Sequence, residues 1–201
     1  MWNRKKIFID SLVMEIPKDM AWCFSNGEYY EKNVIHWIEK IVQNLQHPVI
    51  YDIGANYGYY SVKLSPYAKY IYAFEPVSKT FTILNKNISI NSLSNIKTFK
   101  LGVSNQNLPV DINLYSSSGN NSLYLRDIPK GHSLKFKGKE TIQMIKLDEF
   151  IKEKALLPPD IMKIDVEGAE LYALQGGREV IAKYTPMMEA LIATFSAYAC
   201  S

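Results

Sequence analysis

Short runs of consecutive apolar residues alternate along the chain with stretches in which apolar positions recur every three to four residues. Val49–Ile53 (VIYDI) and Tyr70–Pro76 (YIYAFEP) are of the first kind. Their length and lack of a polar face predict strands buried on both sides. Between and before them the period changes. Tyr29 to Gln46 places Val34, Ile38, Ile41 and Leu45 at helical spacing among lysines and glutamates, which predicts an amphipathic helix closed by His47-Pro48. GYYSVKLSPYA predicts a helix ending near Ser65-Pro66, because a residue before proline leaves the helical region. SKTFTILNKNISIN predicts another, with Ser78 as its N-cap, and NIKTFKLGVS a third strand. The first 30 residues mix aromatics and charges without a clean period and read as short strands or irregular structure.

The second half continues less evenly. PVDINLYSS and TIQMIKL predict extra strands on either side of a polar loop, SSGNNSLYLRDIPKGHSLKFKGKE. LDEFIKEKALL predicts a short helix, and PDIMKIDVEGAE a buried strand that ends on carboxylates. ELYALQGGREVIAKY predicts a helix broken at Gly176-Gly177, and TPMMEALIATFS a fifth strand. Strands alternating with helices at this spacing predict an α/β fold with a doubly wound, mostly parallel sheet.

Composition narrows the picture only slightly. The 201 residues suit one core, and 47% hydrophobic with 21% charged residues is globular composition. A net charge of +3 is too mild to imply a nucleic-acid partner. Cys23 and Cys200 form no CxxC spacing, so a reducing, cytoplasmic setting is expected. The basic start is interrupted by Asp10 and Glu15 before any leader-like apolar region forms, and no stretch approaches a membrane span.

The chemistry concentrates at strand ends. In an open parallel sheet, ligands sit beyond the carboxyl ends of the strands where strand order reverses. DIGANYG begins at such an end. Gly54 and Gly58 permit a sharp turn and close approach to backbone, Asn56 tolerates left-handed dihedrals, and Asp52 can accept hydrogen bonds from a ligand or from the loop. Glu75 closes the next strand, where an acid is placed to accept from ribose hydroxyls. The spacing D-x-G-x-N-x-G departs from the dinucleotide pattern GxGxxG, and a leading carboxylate suits a ligand with positive charge and no phosphate. S-adenosylmethionine fits: a ribose, a sulfonium and an ammonium.

A third cluster lies in KIDVEGAE, where Asp165, Glu167 and Glu170 surround Gly168. Alternation puts Ile161, Lys163 and Asp165 on one face, and Asp165 there can serve as base for an alcohol nucleophile. Lys163 reads as a snorkelling strand lysine, with pairing to a carboxylate as the alternative, and Glu170 as a helix-start acid. The three carboxylates also allow a divalent metal, although no histidine is near in sequence. His36 and His47 read as packing, surface or loop residues, and His132 as part of a solvated basic loop. Ser116 to Tyr124 is dense in small hydrogen-bonding groups, as either turn chemistry or substrate contact requires.

Taken together, YDIGANYGYYS, AFEP, NKNISIN, LDEF and above all KIDVEGAE resemble the FkbM family of S-adenosylmethionine-dependent methyltransferases. The resemblance runs in order from about Tyr29 to Glu189. It implies a Rossmann-like class I methyltransferase domain over residues 49–201, preceded by an extension over 1–48 that holds the amphipathic helix. It also implies O-methylation of a hydroxyl on a small-molecule or glycan acceptor. Asp52, Gly54, Asn56 and Gly58 would form the cofactor loop, Glu75 would hold the ribose, Val103 and Ser104 would lie near the adenine, and Asp165 and Glu167 would line the reaction centre. Such domains usually finish with an antiparallel hairpin, which PMMEALIATFSAYACS leaves no room for. A shortened, catalytically impaired domain is therefore one rival expectation, and a nicotinamide-dependent oxidoreductase, disfavoured by the glycine spacing, is another.

Overall fold

The computed structural model describes residues 4–25, 28–29, 32–129, 131 and 133–190. His132, Cys200 and the end of the segment expected as a fifth strand lie outside them. The described chain opens with a hairpin of β1 (Arg4–Ile9) and β2 (Leu12–Pro17), a 3-10 turn (Lys18–Cys23), and the short pair β3 (Phe24–Ser25) and β4 (Glu28–Tyr29). There follow α1 (Lys32–Asn44), β5 (Val49–Ile53), α2 (Tyr59–Leu64), β6 (Tyr70–Phe74), α3 (Ser78–Ile90), β7 (Ile96–Phe99) and β8 (Gly102–Val103). The remainder is β9 (Pro109–Tyr115), β10 (Phe136–Ile145), α4 (Leu147–Lys154), β11 (Ile161–Ile164), α5 (Glu170–Gly176), α6 (Arg178–Tyr184) and β12 (Met187–Ala190).

The central sheet has the order β12-β11-β5-β6-β7, and every pairing in it is parallel. The chain builds outward from β5 to β7 and then returns to the other side of β5, so the switch point lies between β5 and β11. Both faces are covered. Tyr51, Ile53, Tyr72, Phe74, Met162 and Ile164 pack with Leu147 and Phe150 of α4, Ala173 of α5 and Val180 of α6. On the opposite face Ile50, Ile71 and Ile161 meet α1 and α2, while Ala73 meets Leu84 and Ile88 of α3. This is the doubly wound arrangement that the continuous apolar strands predict.

The first hairpin is tied into this frame by Asn87 of α3 and by Asn91, the C-cap of the same helix. Asn87 Oδ1 accepts from the Glu15 N–H at 2.7 Å and its amide nitrogen donates to the Glu15 carbonyl at 3.1 Å. Asn91 repeats the exchange with Val13 at 2.8 and 2.7 Å. Each side-chain amide thus stands in for a strand neighbour on β2. Asn87 also donates to the Tyr57 carbonyl at 2.8 Å, linking the hairpin to the turn after β5.

Several expectations shift. Of the expected stripe Val34, Ile38, Ile41 and Leu45, Ile38 is buried on the core side of α1 with Ile35 and Val42, Val34 and Ile41 pack at its edge, and Leu45 is exposed beyond the helix. Ser78 is the first helical residue rather than the N-cap. Its N–H and hydroxyl both meet the Glu140 carboxylate, the N–H at 2.9 Å, so a residue 62 positions away supplies the cap. The predicted third strand divides at Lys100-Leu101: β7 belongs to the central sheet, whereas β8 pairs with β10 in a separate sheet of order β8-β10-β9. β10 also begins inside the stretch expected as loop, because its mostly exposed early residues read as polar. The helix break at Gly176-Gly177 is where the sequence puts it. Among the described residues, no helix is long and apolar enough to cross a membrane.

Candidate cofactor and reaction site

The tips of β5, β6 and β11 converge at the switch point. The backbone N–H groups of Gly54 and Ala55 both donate to the Phe74 carbonyl, at 3.0 and 2.9 Å, which curls the loop over the end of β6. Gly54 has φ of 79°, and a Cβ there would collide with the Asp165 carbonyl oxygen, so only glycine lets the β5 and β11 tips approach. Asn56, at φ 51°, turns its N–H onto Glu75 Oε2 at 3.0 Å. Its own Oδ1 accepts from Ser118 Oγ at 3.0 Å. Glu75 Oε1 accepts from the Val77 N–H at 3.0 Å. This carboxyl is only 6% exposed, and burial pushes its pKa up to about 7, against the pull of those two amides and of the Lys163 charge.

Beyond β11 the chain turns through Val166–Ala169, with Glu167 at φ 51°. Glu170 accepts from the N–H groups of Gly168 (3.0 Å) and Val166 (3.4 Å), so it holds the turn from inside rather than merely complementing a helix start. Glu167 pairs with Arg126, and its carbonyl accepts from Ser122 Oγ at 2.9 Å. Burial, and then the neighbouring Asp165 charge, raise the Glu167 carboxyl to about 7 despite the guanidinium. Among the described residues, no three His, Cys, Asp or Glu side chains converge as a metal ion requires.

A cleft of about 720 Å³ joins these tips. Gly54, Asn56, Glu75, Val103, Asp165 and Glu167, all named from sequence, line it together. Asp52, Gly58 and Ser104 stand behind the wall. Asp52 is 1% exposed; Ser61 Oγ donates to its Oδ2 at 2.6 Å, and its Oδ1 lies 3.2 Å from Lys163 Nζ, an ion pair without an aligned hydrogen bond. Gly58 opens α2 at φ 87°, with Leu84 where a Cβ would go. The Ser104 N–H donates to the Ile145 carbonyl at 2.8 Å, and its own carbonyl sits against Gly176.

The snorkelling reading of Lys163 is overturned. The residue is 4% exposed and does not reach solvent. Its ammonium donates to the Gly54 carbonyl at 2.9 Å, lies 3.6 Å from Asp165 Oδ2, and sits 5.1 Å from the centre of the Tyr60 ring. It therefore clamps the β5 loop to the two carboxylates that flank it. The stretch Ser116 to Tyr124, which the sequence leaves open between turn chemistry and substrate contact, supplies most of a roof. Ser118, Gly119, Asn121 and Leu123 of the β9–β10 connection, with Ile112, Ile142 and Met144 of its strands, close one side of the cleft. The density of serine and asparagine there was the available signal, and substrate-side contact is the option the geometry favours. His36 and His47 are exposed and line neither cavity.

A second cavity, about 470 Å³, shares Gly54, Asn56 and Asp165 with the first. Its further walls are Tyr57, Tyr59, Tyr60 and Lys163 on one side and Met14, Ile16, Met20, Cys23 and Phe24 of the N-terminal segment on the other.

Five parallel strands ordered around β5, helices on both faces and acidic tips at the switch point define a Rossmann-like α/β domain of the methyltransferase class. The chain belongs to the FkbM methyltransferase family: residues 52–198 match the family described as the Methyltransferase FkbM domain. It is 30% identical over 156 residues to methyltransferase sdnD of Sordaria araneosa, covering 64% of this chain and 60% of that protein. It is 32% identical over 130 residues to the hexuronic acid methyltransferase AglP of Haloferax volcanii, covering 64% and 49%. To the 2-O-methyltransferase NoeI of Sinorhizobium fredii it is 28% identical over 150 residues, covering 68% and 60%. The chain thus spans about half to three fifths of the length of these relatives. The crystal structure of methyltransferase FkbM from Methylobacillus flagellatus KT shares the fold, with TM-score 0.50 at 20% identity over 72% of this chain and 32% of that one.

Proposed function

We propose that the chain transfers a methyl group from S-adenosylmethionine to a hydroxyl oxygen of a small-molecule or glycan acceptor. The observation that carries this reading is the charge of the larger cleft. Its lining among the described residues includes three carboxylates, Glu75, Asp165 and Glu167, and no lysine or arginine. Such a lining offers the pyrophosphate of a dinucleotide no cationic partner, and a carboxylate such as Asp165 suits a cation. The names of two relatives, a 2-O-methyltransferase and a hexuronic acid methyltransferase, support a hydroxyl-bearing or glycan acceptor.

The residues present fit the cofactor. Two backbone amides occupy part of the Glu75 carboxylate, and its remaining acceptor capacity matches a vicinal diol such as a ribose. Val77, Val103, Ile112, Ile142 and Met144 offer an apolar slot for the adenine. The second cavity continues past Gly54 and Asp165, where the Lys163 ammonium offers a charge to the carboxylate of an amino-acid end. In this reading the extension over 1–48 closes the cofactor site, and Asp52, Gly58 and Ser104 shape it from behind. When bound, S-adenosylmethionine supplies an electrophilic methyl group on a sulfonium.

What remains for the protein is alignment and one proton. Asp165 lies at the junction of the two cavities and takes the proton from the attacking hydroxyl. Lys163 keeps that carboxylate aimed along the junction. Glu167, held by Arg126, flanks the hydroxyl on the acceptor side.

The test is transfer of tritiated methyl from S-adenosylmethionine into a small-molecule and glycan extract of the source cell, with the product identified by mass. The expected product is an ether stable to mild base. Asp165→Asn is expected to lower kcat by about 10²–10⁴-fold, the usual worth of a positioned base, while cofactor affinity changes less than threefold. An absence of labelled ether, or an Asp165→Asn enzyme as active as the wild type, would overturn the reading.

A further inference from the structure

Glu167 stands in a conformation that a residue with a side chain seldom adopts. Its φ is 51°, in the left-handed region, where surrounding contacts must hold it. Two such contacts come from the β9–β10 insert, 45 and 41 positions away. Ser122 Oγ donates to the Glu167 carbonyl at 2.9 Å, and the Arg126 guanidinium pairs with the Glu167 carboxylate. One insert therefore grips this residue both at its backbone and at the end of its side chain.

Both grips are themselves fixed. Ser122 is 4% exposed, and its backbone exchanges two hydrogen bonds with that of Asn113 in β9, at 2.9 and 3.1 Å. Its hydroxyl accepts from the Tyr124 N–H at 3.2 Å, which leaves the single hydroxyl proton for Glu167. Arg126 donates through Nε to the Asn120 carbonyl at 3.0 Å, and its backbone N–H donates to the Tyr115 hydroxyl at 2.8 Å. The described residues that line the cleft include Glu167 but neither Ser122 nor Arg126, so these two meet the site through Glu167. Relaxation of Glu167 to the right-handed region would rotate its φ by roughly 110° and turn its carboxylate away from the cleft wall beside Asp165.

We propose that Ser122 and Arg126 are positioning residues for methyl transfer: they hold Glu167 in its left-handed conformation, with its carboxylate set to orient the acceptor hydroxyl beside Asp165. The proposal rests on the methyl-transfer reading of the same cleft. It deepens that reading by making the roof an aligning device rather than a cover.

The test follows tritiated methyl transfer from saturating S-adenosylmethionine into serial dilutions of the small-molecule and glycan extract, which separates maximal rate from half-saturating dilution. Ser122→Ala and Arg126→Ala are each expected to lower the maximal rate about 10–100-fold, the cost of a misaligned reacting group. The half-saturating dilution is expected to stay within threefold of wild type. Calorimetric affinity for S-adenosylmethionine is expected to stay within twofold, which also reports that the variants fold. A double-mutant cycle separates alignment from general stability. Once Glu167→Ala has removed the carboxylate, adding Ser122→Ala is expected to slow transfer less than twofold further. Either single variant as active as wild type, losses that multiply in the double variant, or lost cofactor binding in the single variants overturns the positioning role alone. A wild-type chain that transfers no methyl group overturns the underlying reading together with it.

Discussion

At the scale of single residues, Glu75 concentrates the tension between folding and binding. Its carboxyl is buried at a strand tip, where water is excluded and only two amides and a distant ammonium favour its charge. The folded-state pKa of about 7 exceeds the reference value of 4.5, so the folded chain holds an extra proton between those values. Stability from this group is therefore present below pH 4.5 and falls as pH rises toward about 7. Urea unfolding of wild type and Glu75→Gln across pH 4.5–8 checks this. The wild type is expected to lose as much as about 3 kcal/mol more than the glutamine variant over that window; identical slopes would contradict the account. Glu75 was legible from sequence because a strand-end acid after a glycine-rich turn is a local pattern. Lys163 was not. Its pairing with Asp52 depends on the β5–β11 register that sets the two side by side, and on α1 and α2 covering that face. Spacing along one strand carries neither fact.

At the scale of elements, the parallel strands and the helices between them follow from apolar runs and period, because each is buried continuously against neighbours on both faces. The β9–β10 insert was harder to read. β10 is half solvated, so its first residues carry the composition of a loop. Its link to the main sheet is equally non-local: Glu140 of β10 caps α3 at Ser78. Removing that carboxylate strands two donors at a helix start. Glu140→Ala is expected to cost about 1 kcal/mol of stability, within the range for a lost cap, and Glu140→Gln less, because one acceptor oxygen survives. Chemical denaturation measures both, and an alanine variant as stable as wild type would show that Ser78 finds another acceptor. The same insert roofs the cleft and carries Arg126, so the element least legible in the sequence is the one that closes the cleft.

At the scale of the whole molecule, two parts of the chain meet at one switch point. The sheet supplies Gly54, Glu75 and Asp165, and the N-terminal hairpin, anchored through Asn87 and Asn91, walls the second cavity. The composition anticipated the hairpin only as short strands, since its anchoring lies in side-chain amides more than 70 positions away. In the proposed reading this convergence binds S-adenosylmethionine through Glu75. Isothermal calorimetry of S-adenosylmethionine with the purified chain at pH 8, and again with Glu75→Ala, tests it most directly. The expected result is micromolar-range binding by the wild type and an affinity about 10–100-fold weaker for the variant, the worth of hydrogen bonds to a charged group. No heat from the folded wild-type chain, or equal affinity in both, would contradict it.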